Sequence, residues 1–179
     1  FYKVVWDTNS GKMVAVDELG NQIKEGDVNI EVVSPFEIFP DNIACERIED
    51  VKSIIHARAM EVNEIKSEWG VDVEVENVHS VSLDGQTSNL GGLGYDAHIN
   101  KVANVQLGNH AVVLERYERP NKKYPNGRLT IVAGGKLLFD GELPYVNGEM
   151  NNRTFPFIKQ ISNYMPGNFF GVSVVDRLI

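Results

Sequence analysis

Short apolar stretches, broken at close intervals by Gly, Asn, Asp and Pro, run through most of this chain, and that rhythm points to antiparallel strands rather than long helices. The plainest case is residues 129–133 and 136–140, which flank Gly134-Gly135, a two-residue loop suited to a hairpin. Residues 2–6 form a strand candidate. The polar cluster Asp7-Thr8-Asn9-Ser10-Gly11-Lys12 reads as a turn, and residues 13–16 answer it as a second strand. After a further turn around Gly20 and Asn21, Val28, Ile30 and Val32 alternate against Asn29, Glu31 and Val33 until Ser34-Pro35 ends the strand. Phe36, Ile38 and Phe39 read as core positions. Residues 54–60 suit a strand with Ile55, Ala57 and Ala59 on one side. Residues 61–69 suit a short helix, because Val62, Ile65 and Trp69 recur at i, i+3 and i+7 before Gly70, a natural stop. Residues 71–75 are again strand-like, as are 111–119. Residues 154–161 are a strand candidate that Pro156 pushes toward a sheet edge. The expected fold class is α+β, mostly antiparallel β-strands and hairpins with one or two short helices.

Two stretches stand apart. Ser82, Asp84-Gly85-Gln86, Ser88-Asn89 and Gly91-Gly92-Leu93-Gly94 make a Gly- and polar-rich run, expected to be a flexible loop over about 80–100. At the C-terminal end, Ser173 with Asp176 resembles a capping box, and Val174, Val175, Leu178 and Ile179 share one helical face. The start of a longer helix is therefore expected at 173–179. The chain opens on Phe1-Tyr2-Lys3 with no Met, and residues 1–179 read as a single fragment of a larger protein.

Composition bounds the function. Lys and Arg total 17 against 25 Asp and Glu, a formal net charge of -8. Tight grip on nucleic acid usually needs the opposite bias, because phosphate neutralisation drives it. No apolar run approaches the roughly 20 residues of a membrane span. The lone Cys45 excludes an internal disulfide or a Cys-rich zinc site and reads as a small buried hydrophobe.

Chemistry-bearing patterns are few. Asp7-x-Asn9-x-Gly11 has Lys12 where a calcium loop needs Gly, so a turn is the better reading. Gly91-Gly92-Leu93-Gly94 lacks the Gly-Lys-Ser/Thr ending of a phosphate loop. His56, His79, His98 and His110 show no metal spacing, although His98 lies near Asp96. The acidic groups Glu46, Glu49, Asp50 and Asp72, Glu74, Glu76 suit a solvated face. The one basic concentration is Arg116, Arg119, Lys122, Lys123 and Arg128, interleaved with Tyr117 and Tyr124. It is the candidate contact for a neighbouring subunit or a phosphate. Phe155, Phe157, Tyr164, Phe169 and Phe170 belong to the core or to a subunit interface.

Four segments, in order, resemble the portal proteins of tailed phages and prophages. They are Asp27-Val28-Asn29-Ile30-Glu31-Val32-Val33-Ser34-Pro35-Phe36-Glu37-Ile38-Phe39-Pro40-Asp41; Ile54-Ile55-His56-Ala57-Arg58 with Val62-Asn63-Glu64-Ile65-Lys66 and Trp69-Gly70; Tyr117-Glu118-Arg119-Pro120 with Tyr124-Pro125-Asn126-Gly127-Arg128 and Ala133-Gly134-Gly135-Lys136-Leu137-Leu138; and Pro166-Gly167 with Gly171-Val172-Ser173-Val174-Val175-Asp176. Residues 79–110 carry no part of the resemblance. It implies a structural subunit of a dodecameric homo-oligomer at the capsid vertex, the channel for double-stranded DNA packaging and ejection. It implies contacts with terminase, head-completion proteins and capsid, sequence-independent passage of DNA, and no membrane. It implies a place in the virion, and in the host bacterial cytoplasm during assembly. No enzyme activity, catalytic residue, cofactor or metal is implied. Residues 1–179 would lie in the β-rich wing-type region. Two rivals compete with this reading. One is a virion or baseplate-type β module that binds a protein or glycan partner. The other is a hydrolase with a paired-carboxylate pocket.

Overall fold

The computed structural model describes residues 1–16, 20, 22–76, 78–83, 86–88, 104–148 and 152–172. In chain order the strands are β1 (Tyr2–Asp7), β2 (Met13–Val16), β3 (Gln22–Lys24), β4 (Asp27–Val32), β5 (Ile38–Pro40), β6 (Ser53–Glu61), β7 (Val78–Leu83), β8 (Gln86–Ser88), β9 (Asn104–Leu107), β10 (His110–Glu118), β11 (Arg128–Ala133), β12 (Lys136–Gly141), β13 (Val146–Asn147), β14 (Asn152–Arg153) and β15 (Phe157–Ile158). Among the described residues there is one α-helix, α1 (Val62–Trp69), which follows β6 directly. Every described strand pairing is antiparallel, and the fold class is α+β, mainly β. No helix among the described residues is long and apolar enough to cross a membrane.

The body is a five-stranded sheet in the order β12-β11-β10-β6-β5. Register decides which side chains share its inner face. Glu115 opposes both His56 and Ile131, Tyr117 opposes Ile54 and Leu129, and Val113 opposes Ala133. Burial follows that parity along β10, where Ala111, Val113, Glu115 and Tyr117 are buried and Leu114 and Arg116 are exposed. Phe155, Phe157, Phe169, Leu143, Val33 and Val51 cover this face and close the core. Burying such side chains supplies most of the driving force, at about 1.5–3 kcal/mol each. The buried face of β6 is the one with Ile54, His56 and Met60; of the expected trio Ile55, Ala57 and Ala59, only Ala57 is buried.

Helix α1 runs as expected. Ile65 is buried, and Gly70 adopts φ 69° while its N–H closes the helix on Lys66 O. The Gly134-Gly135 hairpin also forms, between β11 and β12. Residues 71–75 do not form a strand. The chain beyond them is pinned by a Glu76 N–H to His110 O bond (2.8 Å), and the Glu76 carboxylate accepts the Val112 N–H (2.7 Å). Of the strand expected over 154–161, only β15 forms, at the edge of its sheet.

The loop expected over about 80–100 is partly strand instead. Residues 80–83 and 86–88 belong to a sheet ordered β8-β7-β9. Residues 84–85 and 89–100 lie outside the described residues, and so do Asp96, His98 and the helix expected at 173–179. Cys45 is half-buried rather than fully buried, with its thiol on the Asp50 carbonyl at 3.8 Å.

Candidate functional site

The N-terminal third forms one long two-stranded arm. The turn expected at residues 7–12 does not reverse the chain. β1 pairs along its length with β4, from Tyr2↔Val32 to Asp7↔Asp27. Backbone bonds from Gly26 N to Ser10 O (3.1 Å) and from Glu25 N to Lys12 O (3.0 Å) carry the ladder past the polar cluster. β2 then continues the same ribbon against β3, from Met13↔Lys24 to Val16↔Gln22. Asp7 Oδ1 accepts the Asn9 N–H (2.8 Å), so the turn residues act locally and kink the ribbon without folding it back. At the kink the Trp6 ring lies on Gly26, where φ is +80° and an added Cβ would sit 2.6 Å from the ring.

The two halves of the arm differ. The near half is anchored, since β15 pairs with β1 on the side away from β4. In the far half every side chain of β2 and β3 is exposed, including Met13, Val14 (66% exposed), Val16 and Ile23. β4 is exposed along its whole length too, and Val32 reaches 76%. Register gathers Tyr2, Val4, Trp6, Val28, Ile30 and Val32 on one outward face, with Ile158 opposite Tyr2. The apolar side of the alternation in β4 is thus turned to solvent.

A buried charge network anchors the arm. Lys3 of β1 reaches inward, and its Nζ lies 2.6 Å from Glu115 Oε2 on β10. The same carboxylate receives His56 Nδ1 (3.2 Å), Arg58 Nη2 (3.1 Å) and the Tyr117 hydroxyl (2.5 Å). Glu115 is only 3% exposed and His56 is fully buried. Burial alone would raise the Glu115 pKa. The His56 hydrogen bond and the charges of Lys3 and Arg58 outweigh it and hold the carboxyl far below its usual range. Burial likewise opposes charging of His56. The bond to Glu115 and the Glu37 carboxylate, whose Oε2 lies 3.9 Å from Nε2, overcome that and raise its pKa, with Lys3 pulling the other way. Burial, then the Glu115 charge, pushes the Tyr117 phenol well up. The Phe157 ring packs edge-on against both His56 and Tyr117, which seals the network from water.

The five basic residues do not form one surface. Arg116 Nη2 pairs with Glu118 (3.2 Å) on the exposed face of β10. Arg119 donates from Nε to Val51 O (2.9 Å) and from Nη2 to Ile48 O (3.1 Å), and its guanidinium lies 4.3 Å from the Phe155 ring centre. Arg128 is bidentate on Asp140 (2.7 and 3.0 Å) and also donates to the Tyr124 hydroxyl. Lys123 lies over the Tyr124 ring, and Lys122 is exposed at the tip of the turn. The structure therefore brings together Lys123, Tyr124 and Arg128 and assigns Arg119 to holding the end of β10. The acidic groups are dispersed: Glu46 binds the Tyr164 hydroxyl and the Gly167 N–H, Glu49 pairs with Arg47, and Asp72 with Lys66. Among the aromatics, Phe155, Phe157 and Phe169 are core, while Tyr164 and Phe170 are exposed.

At the base of the arm opens a groove of about 670 Å³. Its lining includes Val4, Trp6 and Ile158 from the outward face, then Pro144, Tyr145 and Val146. Arg119 and Lys159 also line it, with Glu49 the only acidic residue there. Lys159 donates to the Glu46 and Phe169 carbonyls and Arg119 to the Val51 and Ile48 carbonyls, while the Glu49 carboxylate is close enough to interact with the charge of both.

Neither the groove nor the network was singled out by sequence. Glu115 shares the parity of Ala111, Val113 and Tyr117, and a charge in an apolar register is the signal that finds it. No protein-family model matches this chain, and no curated protein matches it.

Proposed function

We propose that this chain is the β-rich wing-type region of a phage portal subunit, a structural component of a ring through which double-stranded DNA passes. The projecting arm is the observation that carries this reading. A two-stranded ribbon is at best marginally stable in water, and one that exposes Met13, Val14, Val16 and Ile23 suits an element covered in an assembly. The net charge of -8 is compatible with DNA that slides rather than sticks. On this reading the partners are identical subunits, terminase, head-completion proteins and capsid, and no residue of the chain is catalytic. The groove favours the second reading, a virion or baseplate-type β module that binds a partner. Electron microscopy of the full-length gene product decides between them. Rings with an open central channel are expected. Monomers or compact small oligomers at high concentration would overturn the portal reading, and the next experiment is then ligand capture by the groove.

A further inference from the structure

The arm joins the body at two roots, and buried charges carry both to one centre. Its outgoing strand β1 begins with Lys3, whose Nζ lies 2.6 Å from Glu115 Oε2. Its returning strand β4 runs through Val33 and Ser34 straight into a short turn, Pro35–Glu37, and Glu37 Oε2 lies 3.9 Å from His56 Nε2. The turn is closed by bonds from Glu37 N–H to Ser34 O (3.0 Å) and from Ile38 N–H to Pro35 O. His56 stands between the two attachments, fully buried, with Nδ1 3.2 Å from the Glu115 carboxylate. The other charged and titratable groups around the ring are Lys3 from β1, Arg58 from its own strand and Tyr117 from β10, and all three reach Glu115. Tyr145 packs behind Tyr117, while β5 and β15 set only Ile38 and the Phe157 ring against His56.

The two ring nitrogens do different work. Ionised Glu115 only accepts, so Nδ1 carries a proton whether the ring is neutral or charged. The exchangeable proton is therefore the one on Nε2, which faces Glu37. With that proton, a cation meets a carboxylate. Without it, a lone pair meets a carboxylate, and neither can donate to the other. Water does not relieve the contact, because Glu37 is only 7% exposed. No hydrogen bond holds Nε2 among the described residues, so the ion pair is what its proton supplies.

We propose that His56 is a proton-operated clamp on the root of the arm: its imidazolium holds the exit of β4 through Glu37, and loss of the Nε2 proton loosens that exit while Lys3 still holds the entry through Glu115. One root is then fixed and the other is switched, so the proton changes the freedom of the arm and leaves the body intact. The clamp belongs to this chain itself and does not require a ring. Its direction follows from the raised pKa of His56: the closed form is complete below 6.5 and is lost as pH rises through the folded value.

The test is amide protection in this chain at about pH 5.5 and about pH 8.5, with the nitrogen shifts of the His56 ring followed by NMR over the same range. Protection factors remove the intrinsic effect of pH on exchange. Between the two conditions the ring is expected to lose its Nε2 proton. Protection of the Val33, Glu37 and Ile38 amides should fall at least about threefold more than that of β11, which reports global stability. His56→Gln and Glu37→Gln should each abolish that difference, and in Glu37→Gln the ring should still titrate. A ring that does not titrate, or an equal fall at the arm root and in β11, would overturn the clamp. So would a difference that survives Glu37→Gln. A difference that survives His56→Gln would also overturn it, and would assign the effect to the Phe1 ammonium, which donates to Val33 O and whose pKa burial lowers from 8.0.

Discussion

β10 and the arm are built from the same kind of sequence, alternating apolar and polar residues, and they end in opposite places. In β10 one parity is buried, and even a carboxylate, Glu115, goes inside with it. In β2, β3 and β4 no side chain is buried, although Val14, Val16, Ile23, Val28, Ile30 and Val32 are as apolar as any core strand. Alternation therefore prepares a strand for burial without supplying the second layer that buries it. The body obtains that layer within its own chain. Among the described residues the arm has no such layer, and its apolar side chains stay exposed. The buried charges show the converse. Taking Lys3 and Glu115 out of water is costly, and the four groups that converge on the carboxylate, from Lys3, His56, Arg58 and Tyr117, offset that cost.

Substitutions can sharpen this contrast. The largest effect is expected at Glu115. Glu115→Ala leaves the buried Lys3 and the half-buried Arg58 without their counter-charge, and should cost about 3–5 kcal/mol in urea unfolding. A loss under about 1 kcal/mol would mean that the network does not anchor the arm. Gly26→Ala comes next. It forces a side chain into a left-handed conformation and against the Trp6 ring, and should cost about 1–2 kcal/mol, seen as disordered NMR signals along the arm with the body unchanged.

A pH titration ranks third. His56 has a raised folded-state pKa, so its stabilisation is fully present below the unfolded value of 6.5 and is lost as pH rises through the folded value. Glu115 is depressed, so its contribution is present above the unfolded value of 4.5 and is lost as pH falls below that. Unfolding free energy should therefore plateau between 4.5 and 6.5 and decline on the alkaline side. His56→Gln should flatten the alkaline limb; an unchanged limb would place its cause elsewhere. The smallest effect is expected on the arm. Val14→Thr with Val16→Thr should change the stability of the isolated chain by no more than about 0.5 kcal/mol, yet lower ring yield in the full-length protein. A large loss of stability would show that the arm packs on its own body.

Local signals carried much of the fold. Gly134-Gly135 between two apolar runs specifies its hairpin, and the i, i+3, i+7 pattern closed by Gly70 specifies α1, because both are decided by residues in contact along the chain. Residues 7–12 were misleading for a physical reason. Asp7 accepts the Asn9 N–H, and Gly11 takes a positive φ, at a kink as readily as at a reversal, and only the partner strand distinguishes the two. Residues 71–75 alternate like a strand, yet form none. The basic concentration was legible as sequence but not as a surface: Glu118 pairs with Arg116 within the run, and Asp140 on β12 and the Ile48 and Val51 carbonyls, which claim Arg128 and Arg119, come from elsewhere in the chain. Glu115 gathers partners from residues 3, 56, 58 and 117, a convergence that only tertiary structure creates.

The most direct test of the arm as an assembly element is amide hydrogen exchange, measured on this chain alone and on the assembled full-length protein. The account predicts that residues 13–16 and 22–24 exchange within seconds in the isolated chain, while β6 and β10 are protected, and that the arm becomes protected in the ring. Arm amides that exchange equally fast in both states would contradict it.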